Sequence, residues 1–181
     1  PGNDVILGEG NDDFLGGEVG DDYLVGGPGN DHIFGTDGND RMYGQNGDDM
    51  IDGGIGNDGA SGGNGSDQIF GQAGKDTLSG GDGLDLIYGG TGKDTISGGA
   101  GRDTLYGEQD ADTIAGNDGD DVVSGGDGID VIDGGYGDDS LLGDADADTI
   151  RGGGGSDLVS GMEGENVLYG DEGDDTLNGG A

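Results

Sequence analysis

The nine residues Gly26-Gly27-Pro28-Gly29-Asn30-Asp31-His32-Ile33-Phe34 contain the pattern on which the whole chain is built. Steps of nine residues counted from Asp4 reach twenty positions, and nineteen of them are Asp, with no insertion anywhere in the 181 residues. The exception is Asn166. Self-similarity at a fixed period is the sequence signature of a protein made of stacked repeats.

Three further positions of the repeat are nearly as regular. We number the repeat so that Gly26 is position one and Asp31 is position six. Position one is Gly in all twenty copies, and position eight is apolar in all twenty, from Ile6 to Leu177. Position two is Gly in ten copies and otherwise mostly polar. A flexible linker has no reason to keep such a register.

Position four indicates a special backbone conformation. It is Gly in seventeen copies, and the exceptions are Asn11, Asp110 and Asp146. Asn and Asp are the residues after Gly that best tolerate a positive φ. The exceptions therefore predict a left-handed backbone at position four.

The composition excludes several classes of protein. Acidic residues outnumber basic ones 41 to 5, for a net charge of −36, and 28% of residues are hydrophobic. That balance alone is typical of a disordered acidic linker. It rules out nucleic acid as a partner, because a polyanion requires clustered Lys and Arg. No apolar run exceeds three residues, so no membrane span is predicted. The chain needs a positively charged partner.

The repeat itself predicts an all-β fold. Positions seven to nine are rich in strand formers around one aliphatic residue, as in Val5-Ile6-Leu7 and Tyr23-Leu24-Val25. We therefore predict a three-residue strand followed by a six-residue turn at positions one to six. Two repeats make one eighteen-residue coil, and coils stack at the ~4.8 Å spacing of parallel strands. The prediction is a right-handed parallel β-roll of about ten coils, forming a single domain over residues 1–181, with position eight inside.

The same stacking predicts a cation. It places the position-six carboxylates in two columns at a spacing of ~4.8 Å, where they repel one another, and the apolar core is thin. Carboxylate and carbonyl oxygens in flexible turns suit calcium better than magnesium or zinc, and the chain has one His and no Cys. Nine gaps in each of two columns give a ceiling of eighteen Ca²⁺ ions. The predicted metal ligands are Asp4, Asp13, Asp22, Asp31, Asp40, Asp49, Asp58, Asp67, Asp76, Asp85, Asp94, Asp103, Asp112, Asp121, Asp130, Asp139, Asp148, Asp157 and Asp175.

The repeat resembles the RTX (repeats-in-toxin) hemolysin-type motif, Gly-Gly-x-Gly-x-Asp-x-aliphatic-x. The resemblance covers the whole chain, with clean copies at residues 26–34 and 89–97. It implies a parallel β-roll in which position-six carboxylates and turn carbonyls of successive coils share calcium. It also implies export by type I secretion from a Gram-negative bacterium and folding in extracellular calcium. Rolls of this family are often domains of proteases, lipases, toxins, adhesins or surface-layer proteins.

The function predicted from these observations is a calcium-dependent folding, secretion or extracellular structural module. No nucleophile, base and orienting group can be assembled, so an enzyme is not predicted. The alternative is a subunit that stacks end to end into a fibre, an adhesin or a surface layer, because residues 1 and 181 both fall at position three without a capping sequence. A third interpretation is a C-terminal domain of a secreted protease, lipase or toxin. In either domain interpretation the chain is a piece of a larger protein with covalent neighbours.

Two finer expectations follow from irregular copies. Asn166 lacks the charge, and Asp110-Ala111 and Asp146-Ala147 alter their turns. All three lie in the column that begins with Asp4, so weaker calcium sites are predicted toward the C-terminal end of that column. The second expectation concerns aromatic residues at position nine, which are predicted to stack on an outer face: Phe70, Tyr88 and Tyr106.

Overall fold

The computed structural model describes residues 2–180, and strands are its regular elements. No helix in this range is long and apolar enough to cross a membrane. The strands are β1 Val5–Leu7, β2 Phe14–Val19, β3 Tyr23–Pro28, β4 His32–Asp37, β5 Arg41–Asn46, β6 Met50–Ile55, β7 Gly59–Asn64, β8 Gln68–Ala73, β9 Thr77–Asp82, β10 Leu86–Thr91, β11 Thr95–Ala100, β12 Thr104–Gln109, β13 Thr113–Asp118, β14 Val122–Asp127, β15 Val131–Tyr136, β16 Ser140–Ala145, β17 Thr149–Gly154, β18 Leu158–Ser160, β19 Val167–Glu172 and β20 Thr176–Asn178.

The strands form two ten-stranded parallel sheets. One sheet contains the odd-numbered strands in sequence order, and the other contains the even-numbered strands. Each strand pairs with the strand one coil further along, residue i with residue i+18, as in Ile87 with Leu105. The prediction of a parallel β-solenoid with two repeats per coil is confirmed. Each coil therefore contacts only its neighbours, as in other solenoids.

The core is a double row of position-eight side chains. From Leu15 to Val159 every one of them is buried, including the small Ala60, while Ile6 and Leu168 are partly buried against the same cluster. Positions seven and nine point outward and are mostly exposed or half-buried. The predicted alternation of side chains is confirmed.

The predicted strand length was wrong. Most strands have six residues rather than three, running from position seven to position three of the next repeat, so the turn is confined to positions four to six. The pairing continues past the glycines: Tyr88 pairs with Tyr106 and Gly90 with Glu108, and only Gly89 at position one is skipped. Glycine has a weak strand preference, which hid this extension.

Backbone conformation explains two of the glycine positions. Position four is left-handed as predicted, with φ of 87° at Asn11, 74° at Asp110 and 76° at Asp146. Position two is also left-handed, for example 74° at Gln72 and 109° at Gly90, which the sequence analysis did not predict. Asn and Asp adopt the positive φ at this position with little strain, whereas the Glu, Gln, Thr and Met residues found there in other copies adopt it at a cost.

Candidate metal centre

The position-six side chains lie in two columns of turns, one at each edge of the flattened coil. The first column holds Asp4, Asp22, Asp40, Asp58, Asp76, Asp94, Asp112, Asp130, Asp148 and Asn166. The second holds Asp13, Asp31, Asp49, Asp67, Asp85, Asp103, Asp121, Asp139, Asp157 and Asp175. The structure thus gathers every predicted ligand into the two predicted columns, and all but Asp4, Asp13 and Asp175 are buried.

From Asp22 to Asp175, one oxygen of each position-six carboxylate joins successive coils. The backbone N–H of Asp76 donates to Oδ1 of Asp94 at 2.8 Å, and that of Asp85 donates to Oδ1 of Asp103 at 2.8 Å. The same bond recurs along both columns, always between residues eighteen apart. A hydrogen bond to a carboxylate is stronger than a neutral one, so this contact fixes the side-chain rotamer at each turn.

The other oxygen has no hydrogen-bond partner. Within residues 2–180, Oδ2 is buried and unpartnered in seventeen aspartates: Asp13, Asp22, Asp31, Asp40, Asp49, Asp58, Asp67, Asp76, Asp85, Asp94, Asp103, Asp112, Asp121, Asp130, Asp139, Asp148 and Asp157. Buried polar atoms are rarely left unpaired in proteins, and a buried carboxylate oxygen without a partner carries a large desolvation cost. A row of such atoms at every turn indicates a ligand.

The surroundings of Oδ2 fit a hard cation. A Cβ added to Gly89, at position one, would lie 2.7 Å from Oδ2 of Asp94 and 2.7 Å from the carbonyl oxygen of Gly107 in the next coil. Carboxylate and carbonyl oxygens from successive coils therefore converge beside this glycine, which has no side chain to fill the space. Such oxygen donors are the ligands that calcium prefers.

Side chains alone do not complete a metal site. Within residues 2–180, no three His, Cys, Asp or Glu side chains are grouped so that they could hold an ion together. Each turn instead offers one carboxylate oxygen among backbone carbonyls. A cation held here would depend on the backbone of two coils, which couples binding to the stacking of the coils.

Burial raises the pKa of many of these carboxyl groups. Burial raises the pKa of Asp76 to about 7 against the backbone hydrogen bond from Asp58, and the charges of Asp94 and Asp58 raise it further. The pKa of Asp112 is likewise raised to about 7, and that of Asp49 to about 6, with burial the largest cause. Keeping these groups ionised inside the roll is unfavourable unless a positive charge lies close by.

Asn166 shows what happens when the charge is absent. Its Oδ1 accepts the backbone N–H of Asp148 at 2.7 Å, so the side chain is oriented like the aspartates. Its Nδ2 lies against Gly161, where Oδ2 lies in the other repeats. There it donates to the carbonyl oxygens of Gly161 at 2.9 Å and Glu163 at 3.2 Å.

A second ladder in the turns was missed by the sequence analysis. At position five, Asn or Asp side chains accept the backbone N–H of the residue one coil later: Asn39 from Asn57 at 2.9 Å, and Asn57 from Lys75 at 2.8 Å. The direction is opposite to that of the position-six bonds. The available signal was composition, since ten of the twenty position-five residues are Asn or Asp.

These features define a parallel β-solenoid whose turns present rows of buried carboxylate and carbonyl oxygens. The sequence profile of the RTX calcium-binding nonapeptide repeat matches residues 1–24, 25–60, 61–96, 88–123, 115–150, 124–159 and 151–181. The protein belongs to this family of RTX calcium-binding nonapeptide repeat proteins, as its sequence predicts. A search of curated proteins gave no match.

Proposed function

We propose that the nineteen position-six aspartates bind calcium in the two columns of turns, and that up to eighteen Ca²⁺ ions fill the gaps between coils. The observation that carries this proposal is the row of seventeen buried Oδ2 atoms without a partner. Bound Ca²⁺ supplies the positive charge that these oxygens lack. The turn residues of the chain supply carboxylates fixed by the Oδ1 bonds and carbonyls exposed by glycine.

The proposed role is a calcium-dependent folding and structural module of a secreted, extracellular protein. Without a cation, each turn buries an ionisable group at a cost, so the folded state needs the ion. Extracellular calcium modules bind with dissociation constants of about 10⁻⁴ to 10⁻³ M. Such a module stays unfolded where calcium is scarce and folds where it is abundant, which suits export as an unfolded chain by type I secretion.

The proposed site assignment is tested by counting bound ions. Native mass spectrometry at saturating calcium should show many Ca²⁺ ions on each chain, and Mg²⁺ at the same concentration should load far fewer. Asp85→Asn removes one buried carboxylate and should lower the ion count. The matched variant Asp82→Asn changes an exposed aspartate outside the two columns and should leave the count unchanged. Equal loading by Mg²⁺, or equal loss in both variants, would refute the assignment.

Residues 2–180 form one continuous solenoid, and we propose that residues 1–181 act as a single roll within a larger extracellular protein. The alternative of a subunit that stacks end to end makes a different prediction for light scattering. A roll that folds as a monomer keeps its mass when calcium is added, whereas a stacking subunit grows into polymers.

A further inference from the structure

We infer that the turn of Asn166 is closed by its own amide group and takes no calcium ion. This inference rests on the proposed calcium sites in the other turns. It goes beyond a weakened site, because the Asn166 side chain performs the task that a cation would perform elsewhere.

The geometry at Asn166 carries the inference. Oδ1 accepts the N–H of Asp148, just as the carboxylates do along the column, so the side chain has the orientation of a ligand. The remaining atom is a nitrogen with two hydrogens rather than an oxygen with lone pairs. It is hydrogen-bonded to the carbonyl oxygens of Gly161 and Glu163. Those carbonyls are satisfied by a neutral donor, and a cation in this turn would have to displace it.

The neighbouring turn provides the contrast. Asp148 lies one coil earlier in the same column, and its Oδ2 is buried without a partner. A carboxylate cannot donate to carbonyl oxygens as an amide does. The carbonyl oxygens of the Asn166 turn are therefore satisfied by an amide, whereas the Asp148 turn needs a cation. The Asn166 turn does not depend on calcium.

The test compares Asn166→Asp with the wild type by native mass spectrometry at saturating calcium. The variant should carry one additional Ca²⁺ ion. Asp148→Asn, the matched change one coil earlier, should carry one ion fewer and remain folded, because the new amide can close its turn in the same way. An unchanged ion count in Asn166→Asp would overturn the inference while leaving the other sites intact. A wild-type chain that binds no calcium at all would instead refute the proposed function.

A third variant tests the amide directly. Asn166→Leu keeps the size of the side chain but can neither bind an ion nor donate. Hydrogen exchange of the turn at residues 161–166 should become at least several-fold faster than in the wild type. The Asp148 backbone amide is not used as a readout, because Leu also removes its Oδ1 acceptor. Asn166→Asp in calcium should restore the protection. Equal protection in Asn166→Leu would show that the amide does not close the turn, and would contradict the inference.

A separate observation concerns the outer face of the even-numbered sheet. Asp52 stands at position nine, and its partners on the two adjacent strands are Phe34 and Phe70. Phe70 continues into the predicted aromatic stack, with ring centroids 5.4 Å from Tyr88 and then 4.9 Å from Tyr88 to Tyr106. The Asp52 carboxylate therefore lies between two aromatic residues in the position-nine row of this sheet.

An open cavity of about 290 Å³ lies beside this carboxylate. Phe34 and Ile55 form apolar walls, Asp37 and Asp52 supply two carboxylates, and Gly54 leaves the floor without a side chain. We call these five residues the Phe34–Asp52 slot. Asp52 forms no ion pair within residues 2–180, and its polar contact is a long hydrogen bond of 3.4 Å from Nε2 of Gln72. Aromatic and carboxylate groups side by side favour a cation with a flat or apolar body.

The molecule already contains such an arrangement with its cation in place. On the odd-numbered sheet, the guanidinium of Arg151 lies 5.2 Å from the centroid of the Tyr169 ring. The same group is 2.9 Å from Oδ2 of Asp171. Arg151 and Tyr169 occupy position nine in successive coils, as Phe34 and Asp52 do. The outer face of this roll thus accepts a guanidinium that contacts a ring and a carboxylate together.

We propose that the Phe34–Asp52 slot binds an arginine side chain of a basic partner peptide. The slot opens outward, and the chain has a net charge of −36 that draws basic partners toward it. The partner inserts a guanidinium against the Phe34 ring and the Asp52 carboxylate, and its aliphatic stem lies along Ile55. No calcium ligand of the two columns takes part.

The probe is the capped peptide acetyl-Gly-Arg-Gly-amide, titrated into the calcium-saturated protein and followed by amide NMR shifts. The amides of Gly54 and Ile55 should shift, and the citrulline analogue, which has the same shape without the charge, should produce no saturable shift. Asp52→Asn and Phe34→Leu should each weaken binding by roughly two- to fivefold.

The control is Asp82→Asn, an exposed carboxylate whose strand partners are Asn64 and Ala100 rather than rings. It should leave the dissociation constant unchanged. Equal weakening by Asp52→Asn and Asp82→Asn would show general attraction to a polyanion and would overturn the slot. Displacement of the peptide by additional calcium would also overturn it, because the slot would then be a surface metal site.

Discussion

The first column of turns divides into two halves that differ in regularity. From Asp4 to Asp76 every turn has Gly at position four, and in the first four of these turns a side-chain oxygen at position five accepts the N–H of the next coil. From Asp94 to Asn166, position four includes Asp110 and Asp146, and position five is Lys, Ala, Ile, Ala and Glu in turn. Both halves keep the same core and the same Oδ1 bonds.

The comparison distinguishes the features that hold the coils in register from the features that shape each turn. The core and the Oδ1 bonds maintain the register of the coils in both halves. Glycine at position four adopts the left-handed backbone without strain, and the position-five hydrogen bonds join the turn to the next coil. In the second half, two of the five turns lack this glycine, and position five of the column makes no such bond within residues 2–180. Because the proposed calcium site combines a carboxylate with backbone carbonyl oxygens, we expect an unstrained, hydrogen-bonded turn to bind calcium more tightly than an irregular one.

The largest effect is expected from removing one carboxylate in each half. Asp58→Ala and Asp130→Ala both remove a buried Oδ2 and the acceptor of a backbone N–H at 2.8 Å. Loss of such a charged hydrogen bond alone costs about 1.5 to 3 kcal/mol. Urea unfolding at saturating calcium should show a greater loss for Asp58→Ala, because it also removes the tighter ion. Equal losses would mean that the halves bind calcium equally well.

In the absence of calcium, lowering the pH should stabilise both halves of the roll. Burial raises the pKa of Asp58 to about 6 and that of Asp76 and Asp112 to about 7, above the ordinary value of an unfolded Asp. The folded, calcium-free state therefore binds protons more tightly than the unfolded state. Its stability is greatest at low pH and is lost as pH rises through these folded-state values.

Circular dichroism in metal-free buffer tests this predicted loss of stability with rising pH. The β signal should grow as pH falls from about 8 to about 5, a window set by the raised pKa values. Added sodium chloride at the higher pH is the control, because it screens exposed charges but reaches buried ones far less. If salt alone reproduced the effect of acid, the general net charge would be responsible rather than the two columns.

A smaller effect is expected from removing a position-five hydrogen bond in the first half or adding one in the second. Asn57→Ala removes the acceptor of the Lys75 backbone N–H and should destabilise the roll by about 0.5 to 1.5 kcal/mol. Ala111→Asn offers a new acceptor to the coil that follows and should stabilise the irregular half by a similar amount. The urea unfolding midpoints of both variants, measured in calcium, test whether the position-five bonds explain the difference in stability between the two halves. A neutral result for both variants would remove the ladder from the explanation.

The smallest effect is expected at position four. Asp146 has a φ of 76°, so Asp146→Gly should relieve strain, and the gain should stay below about 1 kcal/mol because Asp tolerates this conformation. Asp146→Asn is the control, since it removes the charge and keeps the strain. If only the Asn variant were stabilising, like-charge repulsion rather than backbone strain would distinguish the irregular turns.

Much of this architecture could be predicted from the sequence. Asp31 and Ile33, repeated every nine residues, were sufficient to predict the parallel coils, the core and the columns of carboxylates. The strand extension through Gly89 and Gly90 could not be predicted, because glycine carries no strand signal. The role of Asn57 was missed for a different reason: position five varies in sequence, and its function depends on a contact eighteen residues away.

The hydrogen bonding within the two columns of turns also could not be predicted from the sequence. The sequence predicts that stacked carboxylates repel, but the structure adds that, in each buried aspartate of the two columns, one oxygen is hydrogen-bonded and the other has no partner. Asn166 was predicted to weaken its site. Its amide hydrogen bonds to Gly161 and Glu163 became visible only in the folded turn.

The most direct test of the central claim is far-ultraviolet circular dichroism of the chain at neutral pH, first in excess chelator and then during calcium titration. We predict a random-coil spectrum in chelator and a cooperative rise of β signal with a midpoint on the order of 10⁻⁴ to 10⁻³ M Ca²⁺. A full β signal that persists in excess chelator would contradict the account, because the buried carboxylates would then need no cation.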